Sequence, residues 1–264
     1  MKIIHFSDIH EGAFPAPSSF FSKRLFGGSN YVFRRKKTVD WNRLDLLTAF
    51  VKQEKFDYVI ISGDFTSTGS AREFEMVKKR LQDLHDIEGV KILAVPGNHD
   101  NYIDCQKSSS AMKDFISWLT KGAVNNFPLR IEDGNVVFYL SNHAVPRPIQ
   151  LSSGYFDPET HEKLLEWTEQ DKQKIKIAIG HYPLLNAEGE SLPEHKLLVD
   201  GEKVHELLQS GAIDINLCGH IHQAFLREEI SGSREICAGS LTMGRKANIL
   251  EIDGEKIEQT WKIF

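Results

Sequence analysis

Cysteine is scarce in this chain. Its three cysteines, Cys105, Cys218 and Cys237, are odd in number, far apart in 264 residues, and form no CxxC pair. That argues against a disulfide framework and points to free, buried thiols in a reducing compartment. Long apolar runs are lacking too: none approaches the ~18 consecutive residues of a membrane span. No apolar h-region precedes the first strand-like residues, Lys2-Ile3-Ile4-His5-Phe6. The expectation is a cytoplasmic protein without a spanning segment. Nor is there an excess of positive charge. The formal net charge is -5, which discourages a general nucleic-acid binder. Internal repeats and low-complexity tracts are absent, and the length suits a single domain over 1–264.

What is present is a regular alternation. Short apolar runs predict strands over 2–6, 58–62, 91–95, 136–140, 175–179 and 213–218, then 224–230, 234–238, 248–252 and 257–263. Amphipathic stretches lie between them. Thr38 is a candidate cap for a helix over 41–55, and Ser70 with Glu73 forms a capping box. Ser108, Ser109 or Ser110 is a candidate cap for a helix reaching Lys121. Asp157-Pro158 reads as an N-cap and N1 pair, and Asp200 opens a short helix that Gly211 stops. The order is α/β with a more antiparallel end.

The strands end unusually. Apolar runs give way to Ser7-Asp8-Ile9-His10, Gly63-Asp64, Gly97-Asn98-His99-Asp100, Gly180-His181 and Gly219-His220-Ile221-His222. Ligands bind at the carboxyl ends of strands in open α/β sheets. The nitrogen and oxygen donors there are Asp8, His10, Asp64, Asn98, His181, His220 and His222. One divalent ion takes about four to six donors, so seven suit two ions with a shared carboxylate. A set without thiolate favours Mn, Fe or Zn. The i,i+2 spacing of Asp8 with His10, and of His220 with His222, would bring each pair to one side of an extended backbone. Glycine before four of the clusters would let the chain turn sharply.

In this order, DxH, GDx4G, GNHD, GH and GHxH resemble the calcineurin-like metallophosphoesterase superfamily, across nearly the whole chain. The resemblance implies a four-layer αββα sandwich of two mixed sheets. It implies one metal on Asp8, His10, Asp64 and His222 and a second on Asp64, Asn98, His181 and His220. The chemistry it implies is hydrolysis of a phosphodiester, pyrophosphate or phosphomonoester bond by metal-activated water. His99, beside a ligand but not one itself, would protonate the leaving oxygen. The Ser/Thr protein phosphatases carry GDxxDRG, whose second Asp pairs with the catalytic histidine. Here Ser67 and Thr68 occupy the Asp and Arg positions, so what orients His99 is open. The motifs are closer to small bacterial phosphodiesterase-like members, which include cyclic-nucleotide phosphodiesterases and UDP-diacylglucosamine pyrophosphohydrolases. A binding scaffold on the same fold is the non-enzymatic alternative, disfavoured by the complete ligand set.

Residues 11–37 form a long connection after the first motif. No acidic residue occurs between Glu11 and Asp40, whereas Lys23, Arg24, Arg34, Arg35, Lys36 and Lys37 are interleaved with aromatics. The insertion reads as a substrate cap in which Arg34 and Arg35 pair phosphate. Residues 14–37 could instead rest on an anionic membrane surface and serve a lipid-linked substrate, or be a structural insertion. Asn142, His143 and Arg147 are further substrate candidates, as are His195 and its neighbour Lys196.

Overall fold

The computed structural model describes residues 1–13, 23–25, 37–148 and 150–264. Arg34 and Arg35, with most of the 11–37 insertion, lie outside the described residues. Two large sheets dominate, one ordered β13-β12-β1-β2-β3 and the other β10-β11-β9-β7-β5-β4. In the first, β1 (Lys2–Phe6), β2 (Tyr58–Ile61) and β3 (Lys91–Ala94) run parallel. The antiparallel hairpin of β12 (Lys246–Asp253) and β13 (Lys256–Ile263) joins at β1. In the second, β5 (Val136–Leu140), β7 (Ile175–Ile179), β9 (Ile215–Cys218) and β11 (Arg234–Cys237) are parallel. Antiparallel β4 (Leu129–Asp133) and β10 (Phe225–Glu228) close its edges. Both sheets are therefore mixed, and the antiparallel strands are divided between them.

Side-chain alternation produces the layers. Val136, Phe138 and Leu140 of β5 enter a large core shared with the first sheet and with helices α1 (Asn42–Glu54), α2 (Ala71–His85) and α3 (Gln106–Leu119). Val137 and Tyr139 point the other way, into a second core with Leu164 of α4 (Pro158–Gln170) and Val204, Leu207 and Leu208 of α5 (Glu202–Gln209). A strand buried on both faces reads as a continuous apolar run, which is why VVFYL was easily seen. The charged edge strand β4 was missed, as was a two-stranded parallel sheet of β6 (Gly154–Tyr155) and β8 (Leu198–Val199). Both are too short or too polar to leave an apolar signature. No helix among the described residues is long and apolar enough to cross a membrane.

The capping box at Ser70 is present, with Ser70 Oγ accepting from Glu73 N and Glu73 Oε2 accepting from Ser70 N at 3.0 Å. Asp157 caps α4 by accepting from Thr160 N at 2.9 Å. Three other caps differ from expectation. Trp41, not Thr38, stands at the N-cap of α1, and it makes no side-chain cap bond. Cys105 precedes α3, so Ser108, Ser109 and Ser110 lie inside that helix. Gly201, not Asp200, stands at the N-cap of α5.

One buried carboxylate ties α4 to the sheet. Asp171 accepts from Arg130 Nε at 2.7 Å and Nη2 at 2.6 Å, from Tyr139 Oη at 3.0 Å and from Lys174 Nζ at 3.0 Å. Its hydrogen bonds from Arg130 hold it well below the usual carboxylate range. A depressed folded pKa adds stability above the unfolded pKa of about 3.9, and that stability is lost as pH falls through the folded value. Asp171→Ala should cost about 2–3 kcal/mol at neutral pH, and the gap from wild type should shrink in acid. Urea unfolding at pH 7 and at pH 3 checks both.

Candidate metal centre

The loops after β1 and β2 travel side by side. Asp8 N donates to Gly63 O at 3.0 Å, His10 N to Asp64 O at 2.9 Å and Glu11 N to Phe65 O at 2.9 Å. The backbone within them is not extended. Asp8, His10 and Asp64 have φ of 57°, 55° and 55°, and His220 and His222 have φ of 72° and 59°. The paired side chains therefore converge through left-handed turns, which corrects the extended-strand rationale. Each such residue costs on the order of 1–3 kcal/mol, a strain typical of functional sites. The glycines also act differently. Gly63 has φ 102° and does turn the chain. At Gly97 a Cβ would lie 2.2 Å from Asp64 Oδ1, and at Gly219 2.5 Å from Asp8 Oδ2. Gly97 makes room for the Asp64 carboxylate, and Gly219 for the Ser7 hydroxyl and the Asp8 carboxylate.

The strained Asp8-Ile9-His10 turn is braced from one side. Ser240 Oγ donates to Asp8 O at 2.7 Å and Thr242 Oγ1 to Ile9 O at 3.0 Å. Replacing both, by Ser240→Ala and Thr242→Val, should weaken metal affinity about 10- to 100-fold, the usual effect of losing groups that support ligands. Titration of metal-depleted protein with Mn checks this, and unchanged affinity would remove the bracing role.

Asp8, His10, Asp64 and His222 each offer an atom within 4.8 Å of the others. Asp8 Oδ1 is 3.1 Å from His222 Nε2 and 3.4 Å from His10 Nε2. The two imidazole nitrogens are 2.8 Å apart, close enough for one shared proton or one common cation. A second group adjoins it. Asp64 Oδ2 is 3.4 Å from His181 Nε2, Asn98 Oδ1 is 3.3 Å from His181 Nε2, and His220 Nδ1 is 2.9 Å from Asn98 Oδ1. His181 Nδ1 faces Ser62 O at 2.7 Å, so it carries a hydrogen and turns Nε2 toward Asp64. Asp8 Oδ1 is buried without a hydrogen bond, as a cation's ligand would be.

The electrostatics also call for a cation. Burial would raise Asp64, but the fields of His181 and His99 hold it well below the carboxylate range. Burial would likewise raise Asp8, and the adjacent imidazoles of His10 and His222 hold it well below. Burial would lower His181, yet Asp64 pushes it up to about 10. Burial, reinforced by His181, brings His220 down to about 3. Metal-free, the pocket balances its buried carboxylates with protons, one of them on His181. A divalent cation fits the same donors and replaces those protons.

The family model for calcineurin-like phosphoesterases matches residues 1–224. The chain belongs to that family. A curated relative, a probable glycerophosphodiester phosphodiesterase GpdQ from Arcobacter nitrofigilis, is 23% identical over 208 residues, covering 74% of this chain and 70% of its own. A dimetal phosphatase from Danio rerio superposes with TM-score 0.69 at 13% identity, covering 100% of this chain and 96% of that one. A purple acid phosphatase from yellow lupin superposes with TM-score 0.61 at 12% identity, this chain spanning 51% of its length. As a calcineurin-like phosphoesterase, this chain is a metal-dependent phosphoester hydrolase.

Two residues of the GNHD motif find unforeseen partners in this phosphoesterase. His99 Nδ1 lies 2.7 Å from the carbonyl oxygen of Ser67. The position where protein phosphatases carry an aspartate thus orients the histidine with its main chain. Asp100 is fully buried and accepts from Gly97 N at 2.9 Å, Phe65 N at 3.2 Å, Thr66 N at 2.9 Å and Thr66 Oγ1 at 3.0 Å. It staples the second motif loop to the third. Burial, with Asp64 nearby, pushes it up to about 7.

A cavity of about 220 Å³ opens over the centre, lined by Asp64, Asn98, His99, His220, Ile221 and His222 with Ser152 and Lys196 at its rim. The residue reaching it from the 190s loop is Lys196. His195 is exposed and uses its carbonyl to accept from Ser152 N and Oγ. Asn142 Oδ1 accepts from Ala144 N, and the residue lines a separate cavity with Met112 and Asp157. His143 is buried against Gly180 and Phe156, with burial pushing it down to about 4. Arg147 donates to the carbonyls of Ser153 and Gly154 at 3.2 Å. None of Asn142, His143, Arg147 and His195 lines this cavity. Ser152 had no sequence signal, because a lone serine in a loop has none.

Proposed function

We propose that this phosphoesterase hydrolyses phosphodiesters with two divalent cations. Asp8, His10, Asp64 and His222 would hold one, and Asp64, Asn98, His181 and His220 the other. The observation that carries this reading is the position of Asp64. Its Oδ2 is 3.6 Å from His10 Nε2 in one donor group and 3.4 Å from His181 Nε2 in the other. Bound there, the cations supply positive charge to the phosphoryl oxygens and acidify water. The nitrogen-and-oxygen donor set suits Mn, Fe or Zn.

In this reading His99 carries the proton for the leaving oxygen. The Ser67 carbonyl keeps Nδ1–H engaged, so Nε2 is the atom from which the proton is given up. Lys196 at the rim meets the negative charge of the substrate beyond the bond that breaks. The name of the Arcobacter relative and the rim lysine favour a diester or pyrophosphate over a monoester. The basic and aromatic composition of residues 11–37 supports a lipid-linked member of that class. The free cysteines support a cytoplasmic setting. Mn-loaded protein should hydrolyse bis-p-nitrophenyl phosphate faster than p-nitrophenyl phosphate. Inactivity on both, and on nucleotide-linked pyrophosphates, would leave a binding scaffold instead.

A further inference from the structure

The carbonyl of Ser67 fixes where Nδ1 of His99 sits, and contacts on the ring itself restrain its tilt about that atom. His10 meets His99 edge-to-face, with centroids 4.9 Å apart and planes at 89°. Tyr102 stacks on it, with centroids 5.5 Å apart and planes at 12°. Tyr102 is itself buried and touched by the insertion, because Lys23 Nζ lies 4.1 Å from the centre of its ring. That lysine also donates to Arg147 O at 2.9 Å. The next residue, Arg24, anchors the same turn to the carbonyls of Thr68 at 3.1 Å and Gly69 at 2.9 Å, and to Ser108 Oγ. Residues 23–25 are thus clamped to the second motif loop and laid against the neighbour of the proton donor.

We propose that Tyr102 is a positioning residue for His99, and that Lys23 couples the 11–37 insertion to it through the Lys23–Tyr102–His99 stack. Residues 23–25 then act on turnover through that stack. The proposal rests on His99 as the proton donor. Removing the aromatic face should lower kcat while the metal ligands and the Ser67 carbonyl stay in place. An aromatic contact of this kind is worth up to about tenfold in rate, and a cation over a ring about two- to fivefold.

Four variants test this, each alone and combined with His99→Ala. Tyr102→Leu should cut kcat about tenfold on a diester with an alkoxide leaving group, and less on a nitrophenyl diester. Metal content should be unchanged, and Tyr102→Phe should restore most of the loss. Lys23→Met should show a smaller loss of the same kind, restored by Lys23→Arg. In the His99→Ala background neither variant should lose more. The ¹⁵N signals of the His99 imidazole in metal-depleted protein give a readout independent of activity. Wild type should show one sharp set of signals with the hydrogen on Nδ1, and Tyr102→Leu broadened or doubled signals from a ring with more than one tilt. Losses that persist without His99, a raised KM with unchanged kcat, or imidazole signals as sharp in Tyr102→Leu as in wild type would each overturn the proposal. If wild type hydrolyses no phosphoester, the activity reading falls and the imidazole signals alone decide the stack.

Discussion

Asp64→Asn should abolish turnover, by at least about 10³-fold, and leave the purified protein with fewer than two metal ions per chain. The reason is its double use. Its carboxylate lies between His10 on one side and His181 on the other, so a single neutralisation weakens both groups. The change should not act by unfolding. Asp64 Oδ1 accepts from His99 N at 2.8 Å, and an amide oxygen can keep that bond. Losing the Asp64 charge leaves His181 without its buried partner, so the metal-depleted variant should be folded but less stable than metal-depleted wild type at neutral pH. Elemental analysis, kcat and thermal unfolding with and without chelator test the three parts. Two ions retained per chain would refute the bridging role.

His99→Ala should do the reverse: keep both ions and lose turnover, on the order of 10²- to 10⁴-fold for substrates with alkoxide leaving groups. A nitrophenolate needs little help in leaving, so bis-p-nitrophenyl phosphate should be affected far less. The dependence on leaving-group pKa should therefore steepen in the variant. The wild-type geometry is consistent with this split: His99 reaches the centre through its backbone N–H to Asp64, which alanine retains, and through its ring, which alanine lacks. Equal loss across leaving groups would show that the ring does not deliver the proton.

Much of this arrangement was legible from residue identity, and the rest was not for definable reasons. Glycine followed by Asp, Asn or His at the end of an apolar run is written in side chains, and so is the alternation that places those runs in sheets. The partner of His99 is a main-chain carbonyl, which every residue possesses, so Ser67 could not announce itself. Asp100 has meaning only once residues 65, 66 and 97 are known to be neighbours. The left-handed turns at Asp8, His10, Asp64, His220 and His222 run against the preference of those residues, and only the surrounding packing imposes them. Of the two neighbouring candidates His195 and Lys196, only Lys196 lines the cavity, a distinction set by which way a loop residue faces.

The position of β1 in the first sheet bears on when the centre can come into existence. This strand lies between β2 and β12, which comes much later in the sequence. The turn that follows it is braced by Ser240 and Thr242, and the first donor group joins Asp8 to His222 across 214 positions of sequence. A ribosome must therefore release almost all of these residues before the donors can meet. Until then the histidines and carboxylates are separate and bind metal weakly. The first donor group is thus complete only when strands and turns from both ends of this sequence are in place.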